Sequence, residues 1–189
     1  LTIEEGTKFF KDHQNGIIKI IDNDKAAEFY HISNKVLNDY NFNRYEVSNY
    51  SKNGFKCKHN LNYWKSENWM GIGPGAHGRL WSSVKNRNRI EYQNFKNPKT
   101  WLSKNLLQAE FEKITNLNSN VSDIDTLTMG LRLYEGLQIS KLNNLSILNY
   151  RSLKELQSRK IISFKDDILR VNQKHMIKLN SILNYIINP

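Results

Sequence analysis

The chain has 189 residues, 28 basic against 18 acidic side chains for a formal net charge of +10, and a single cysteine, Cys57. One thiol excludes an internal disulfide and any metal centre built from several cysteines of this chain, no apolar run approaches the roughly 20 residues of a transmembrane segment, and the N-terminal residues lack a basic-then-apolar leader. The basic residues are scattered, and Asn, Lys and Ile are abundant together as an AT-rich genome produces, so nucleic acid is disfavoured as a partner and a reducing, cytoplasmic setting is expected.

"LTIEEGTKFF" reads as a strand end and a polar turn at Gly6, and a start at Leu1 suggests a piece of a longer protein. Asp22 or Asp24 caps a helix with Ala27, Phe29, Tyr30, Ile32, Val36 and Leu37 on its apolar face, ending near Tyr40. "RYEVSNY" predicts a strand, so helix and strand make an α/β unit. A polar loop over 51–60 leads to "KCKHNLNYW", and "WMGIG" predicts a short strand running into "GPGAHG". "RLWSSV" and "RIEYQNF" alternate around "KNRN" as a β-hairpin, and Pro98 opens a helix over 98–114. "TNLNSNVSD" is a polar connector. Beyond it, "DIDTLTMGLRLYEGL" has helical spacing at Ile124, Leu127, Leu131 and Tyr134 and stops at Gly136. "SKLNNL" and "LNYRSLKELQSR" predict two more helices, "KIISFKDDILRV" a hairpin turning at 165–167, and "HMIKLNSILNYII" a last helix. The fold class is α/β plus α+β. The expected parts are 1–96, a connecting helix and linker at 97–121, and a small winged-helix-like module at 122–189.

Three groups of residues bear on function. Gly71, Gly73, Gly75 and Gly78 punctuate "GIGPGAHG", and the last three match a dinucleotide fingerprint. A strand pattern follows where that fingerprint needs a helix N-terminus, so the dinucleotide reading is rejected. The glycines, with Ala76 and Pro74, allow either close backbone approach by a ligand or a tight turn without one. Cys57 and His59 are two apart, which in an extended segment puts them on one face. Either side chain, and His77 in the glycine loop, is a candidate axial ligand for an iron porphyrin; the alternatives are a free thiol and solvated imidazoles. Tyr63 and Trp64 beside Asn60 offer an aromatic surface with an amide for a planar ligand, or else core packing beneath a loop. No zinc site, P-loop or Ser-His-Asp set is present in the pattern.

"RYEVSNYSKNGFKCKHNLNYW", "GIGPGAHGRL" and "GLRLYEGL", in this order and spacing, resemble the second half of the HemW family. These are radical SAM haem chaperones, similar to the oxygen-independent coproporphyrinogen III oxidases. The resemblance covers essentially the whole chain, and its most specific piece is His-Asn-x-x-Tyr-Trp, here His59, Asn60, Tyr63 and Trp64. It implies that residues 1–96 are the last portion of a partial TIM-type βα barrel and 122–189 the family's C-terminal winged-like domain. It implies that His59, Asn60, Tyr63, Trp64 and Cys57 handle haem, with His59 the candidate haem ligand. S-adenosylmethionine would then approach Gly71, Gly73, Gly75, Ala76 and His77. The four-iron four-sulfur cluster of such a protein needs three cysteines, so cluster and S-adenosylmethionine chemistry are expected only in a full-length parent. This chain alone is not expected to be catalytic. Expected partners are the missing N-terminal radical SAM half, in cis or in trans, and haem-accepting proteins. Gly78 stands where the family usually has Ser, and His175 where it often has Gly. The competing readings are part of a coproporphyrinogen III oxidase, a winged-helix nucleic-acid-binding module and a non-functional split-gene remnant.

Overall fold

A computed structural model describes residues 3–82, 88–106 and 108–188. The chain forms two compact units, Leu1–Tyr40 and Asn41–Pro189.

The first unit is helical. The strand end expected at the start is not seen over residues 3–7. Instead the Thr7 hydroxyl accepts from the Phe10 amide and caps α1, Lys8–Gln14. The second helix begins and ends where its residues predict: the Asp22 carboxylate accepts the Lys25 amide at 2.8 Å and caps α2, Asn23–Asp39. Phe29, Ile32 and Val36 of α2 are exposed, and neither helix buries a side chain.

The second unit opens with a correction. The single strand expected over 44–50 is a hairpin of two short strands, β1 (Asn43–Arg44) and β2 (Tyr50–Ser51). The turn between them forms around buried Glu46, whose carboxylate accepts the Ser48 amide at 2.9 Å and the Asn49 side-chain amide at 2.6 Å. After helix α3 (Lys58–Trp64), the "WMGIG" stretch is not a strand; only Trp69 pairs with Arg79, as an isolated bridge. The following hairpin is observed as β3 (His77–Trp81) against β4 (Arg89–Gln93), antiparallel. Most of its expected tip, 83–87, lies outside the described residues.

The long helix expected from Pro98 is three residues, α4 (Pro98–Thr100), continued by wide i→i+5 turns over Trp101–Leu106. Ala109 adopts a left-handed φ of 53°. The remaining residues, rich in β-branched Ile114 and Thr115, form β5 (Lys113–Leu117) along β4. Strand β4 needs partners for its outer row of N–H and C=O groups, and that need overrides local helix propensity.

Helix α5 (Ser119–Gly130) is capped by Asn118 and stops six residues before Gly136. The reason is tertiary: Leu133 bridges Glu46, and the Tyr134 amide donates to the Tyr45 carbonyl at 3.1 Å, so this backbone pairs with the first hairpin. "SKLNNL" gives only single 3₁₀ turns, because buried Asp123 accepts the Asn143 and Asn144 amides at 3.0 and 2.7 Å. Helix α6 (Tyr150–Ser158) and the hairpin β7 (Ile162–Lys165) and β8 (Ile168–Val171) agree with expectation, and the last helix is observed as α7 (Leu179–Ile186), its expected first turn being part of a 3₁₀ stretch over Gln173–Lys178. Asp166 and Asp167 turn that hairpin with φ of 53° and 65°, the left-handed pair a tight two-residue turn demands. Strand β6 (Leu137–Gln138) completes a sheet of order β6-β8-β7.

The hydrophobic core runs from Leu127 to Ile186, with Leu131, Leu169, Met176 and Ile186 all but sealed from solvent. The chain is therefore mixed helix and sheet, and every strand pairing among the described residues is antiparallel. The parallel pairing that an α/β portion brings is not found among them. No helix of the described residues is long and apolar enough to cross a membrane.

Candidate functional site

Cys57 and His59 are not side by side. The stretch expected to be extended is helix α3, with exposed Cys57 outside it as the N-cap residue and His59 in its first turn. A helix turns about 100° per residue, so a spacing of two no longer puts both on one face. A spacing of four does, and it divides the motif in two. His59 and Tyr63 share one side, their rings edge to face with centroids 4.8 Å apart. Tyr63 in turn meets Trp69 at 4.9 Å. Asn60 and Trp64 form a second row, about 100° round the helix, and there the Arg132 guanidinium lies 4.3 Å from the Trp64 ring centroid. Tyr63 and Trp64, expected as one aromatic surface, thus face different neighbours.

The first row is tied to the β3–β4 hairpin. Trp69 exchanges both backbone hydrogen bonds with Arg79 of β3, at 3.0 and 2.9 Å. Asn68 accepts from the Trp81 amide at 2.7 Å, and the Trp81 indole donates to the Ser66 carbonyl at 2.9 Å. The exposed His59 imidazole therefore stands on a helix whose C-terminal end is held by main-chain hydrogen bonds.

The glycine loop folds on itself. A side chain at Gly71 would meet the His77 carbonyl oxygen at 2.0 Å, and one at Gly78 would meet the Tyr92 ring at 2.2 Å. Gly73 and Gly75 have φ of 113° and 70°, which non-glycine residues avoid. Asn94, almost fully buried, latches the loop by donating to the Gly71 and Gly73 carbonyls at 3.1 and 3.0 Å. The Tyr92 hydroxyl accepts the Gly71 amide at 3.0 Å, and the Gly75 amide reaches Phe95 O at 2.9 Å. Ala76 donates its amide to the Gly73 carbonyl, and His77 is exposed at the start of β3.

The β3–β4 hairpin also carries an ion-pair group that no sequence pattern announced. Asp125 of α5 accepts from Arg79 and Arg89 at 2.6 Å each, and Arg79 also meets Glu91 at 3.0 Å. Arg89 is 2% exposed, with its guanidinium 4.8 Å from the Trp81 ring centroid. Burial pulls the Arg89 pKa down, and although Asp125 opposes it the net shift is downward. Glu46 and Arg132 were missed as well. Glu46, at 0% exposure, pairs with Arg132 at 3.7 Å, and Arg132 covers Trp64, so the first hairpin sets the position of the motif's last aromatic ring. A charged residue inside a β-rich stretch such as "RYEVSNY" was the available signal, since a carboxylate there must be exposed or paired.

On the Trp64 side opens a cleft of about 270 Å³, lined by Lys65, Leu133, Glu135, Leu137, Lys141, Ile168 and Arg170 among others. Among the described residues, no group of three His, Cys, Asp or Glu side chains is placed to hold a metal ion. With Cys57 the sole cysteine, the chain also cannot supply the three thiolates of a radical SAM cluster.

No family model matches the chain. It is 29% identical over 201 aligned positions to "Radical S-adenosyl methionine domain-containing protein 1, mitochondrial" of Danio rerio, covering 99% of this chain and 44% of that protein. It is 31% identical over 146 positions to "Heme chaperone HemW" of Mycobacterium tuberculosis, covering 75% of this chain and 35% of the relative. The chain thus spans less than half the length of these curated relatives. Among solved structures it resembles the Escherichia coli coproporphyrinogen III oxidase HemN, described as a radical SAM enzyme. The TM-score is 0.58 and the identity 10%, over 87% of this chain and 41% of that one, a likeness of fold.

Proposed function

We propose that this chain, a relative of the HemW haem chaperones and consistent with the C-terminal half of a HemW-like radical SAM protein, serves haem binding and transfer in porphyrin metabolism. The observation that carries the reading is the split motif on α3. An exposed His59 is braced edge-on by Tyr63, next to an aromatic row rooted in the β3–β4 hairpin. An accessible imidazole on a fixed helix suits an axial ligand to a haem held at the surface and passed on. Tyr63 supplies aromatic contact. Haem enters here as cargo.

In this reading the glycine loop, Gly71 to His77, lies near S-adenosylmethionine in the full-length parent, which also supplies the four-iron four-sulfur cluster. No chemistry at that cluster falls to these 189 residues. Residues 122–189 form the winged-helix-like C-terminal domain. The parent is cytoplasmic and works with its N-terminal radical SAM half and with haem-accepting proteins.

The test is a haem titration of the natural full-length polypeptide followed by its Soret absorption, for the wild type and His59→Ala. The variant should bind at least about tenfold more weakly, the loss of one ligand bond, and should show an altered Soret band. Equal affinity and an unchanged spectrum would remove His59 from the ligand set.

A further inference from the structure

The cleft on the Trp64 side has a chemistry that the axial-ligand reading does not use. Three cations line it: Lys65 at the end of α3, Lys141 and Arg170. One carboxylate, Glu135, lies among them and is already engaged, by Lys65 at 3.0 Å and by Lys56 at 3.6 Å. Arg170 holds the Glu135 carbonyl through its Nε, at 2.8 Å, and Lys141 is 3.9 Å from the Glu67 carboxylate. The floor is apolar, built by Leu133, Leu137 and Ile168. At its edge the Trp64 ring carries an indole N–H that is buried and has no acceptor among the described residues. A buried donor without an acceptor is costly, and a ligand oxygen or a water relieves it.

A net positive, half-apolar cleft suits an acid whose body is apolar. At about 270 Å³ it is smaller than the 300–1,000 Å³ of sites that enclose a whole small-molecule ligand, so it takes one edge of something larger. Resting on the haem reading above, we propose that this cleft binds the propionate edge of the haem. Lys141 and Arg170 receive the carboxylates, and Trp64 and Ile168 contact the rim of the ring. The division of the motif then has a reason: His59 and Tyr63 address the iron and the ring face, while Trp64 lines the site for the acidic edge.

Comparing haem with haem dimethyl ester, whose propionates cannot ionise, tests this on the natural full-length polypeptide by Soret titration. The wild type should bind haem about tenfold more tightly than the ester, the value of one charge-assisted hydrogen bond. The double variant Lys141→Met, Arg170→Gln should lose that preference by weakening haem binding alone, leaving the ester's affinity unchanged. Far-UV circular dichroism checks that it folds. Equal affinity of the wild type for haem and ester, which requires no variant at all, overturns the propionate site and leaves haem binding at His59 standing. A folded double variant that keeps the preference overturns the assignment to Lys141 and Arg170. Failure of the wild type to bind either compound overturns the haem reading and this inference together.

Discussion

Between Asn41 and Leu117 the side chains withdrawn from solvent include Arg44, Glu46, Ser51, Ser66, Arg89 and Asn94, with Tyr45 and Tyr92. From Ser119 onward they are chiefly Leu, Ile, Val and Met, packed as one cluster between Leu127 and Ile186. The later stretch is held by non-directional burial, worth about 1.5–3 kcal/mol for each large apolar side chain. The earlier stretch, which carries the His59-to-Trp64 motif and the glycine loop, is held by directional bonds. An apolar core tolerates substitutions that keep its volume. A buried polar network does not, since one missing partner leaves another group desolvated and unpaired. Volume-conserving substitutions should therefore be tolerated less well in the site region than in the apolar one.

The largest effect should still come from the apolar region. Leu169, 1% exposed at the centre of the cluster, should cost about 3–4 kcal/mol when truncated to Ala. Chemical denaturation measures this. Leu169→Met should recover most of the loss, as volume-conserving changes do.

Next comes Asp125→Asn, which keeps volume but strips Arg79 and Arg89 of their shared anion. About 2–3 kcal/mol is expected, below the full cost of breaking a buried pair because Asp125 is itself partly exposed, its side chain at 18%. If this isosteric change costs nothing while Leu169→Ala costs its full amount, the contrast between the two regions fails. A smaller loss, about 1–2 kcal/mol, is expected for Asn94→Ala, which frees the Gly71 and Gly73 carbonyls. Hydrogen exchange should localise it: amides of 71–78 lose protection while those of α7 do not.

The smallest effect is one of pH. Burial alone would raise the Glu135 carboxyl, but hydrogen bonding and charge from Lys65, with Lys56 behind, hold it below its ordinary value of 4.5. A group depressed on folding contributes stability above its unfolded pKa and loses it as pH falls through the folded one. Acidification below about pH 5 should therefore cost the wild type slightly more than Glu135→Gln. The difference should be near half a kcal/mol at most, since the side chains of Glu135 and Lys65 are both more than 40% exposed and solvent screens them. Equal acid sensitivity of the two proteins, measured by thermal melts at pH 7 and pH 4, would remove Glu135 from the account.

Much of the chain was legible residue by residue where the cause is local. Asp22 accepts an amide three residues on and begins a helix as read, whereas Asn118, read as part of a connector, caps α5 in the same way. Asp166-Asp167 turns the last hairpin, and alternation around residue 80 predicts β3 against β4. The glycine punctuation of 71–78 and the His59-to-Trp64 spacing also mark their own places. Tertiary structure decided whatever depends on a partner distant in the chain. Pairing with Glu46 and Tyr45 ended α5 at Gly130, and the open side of β4 made a strand of 113–117, expected as the end of a helix and the start of a connector. Asp125 gathered two arginines 46 and 36 residues away. Trp69 and Arg132, brought in from other elements, give the adjacent Tyr63 and Trp64 different neighbours on one short helix. Local backbone preferences amount to about 1 kcal/mol or less per residue, whereas an unpaired buried amide or charge costs more. Where the two disagree, the distant partner prevails.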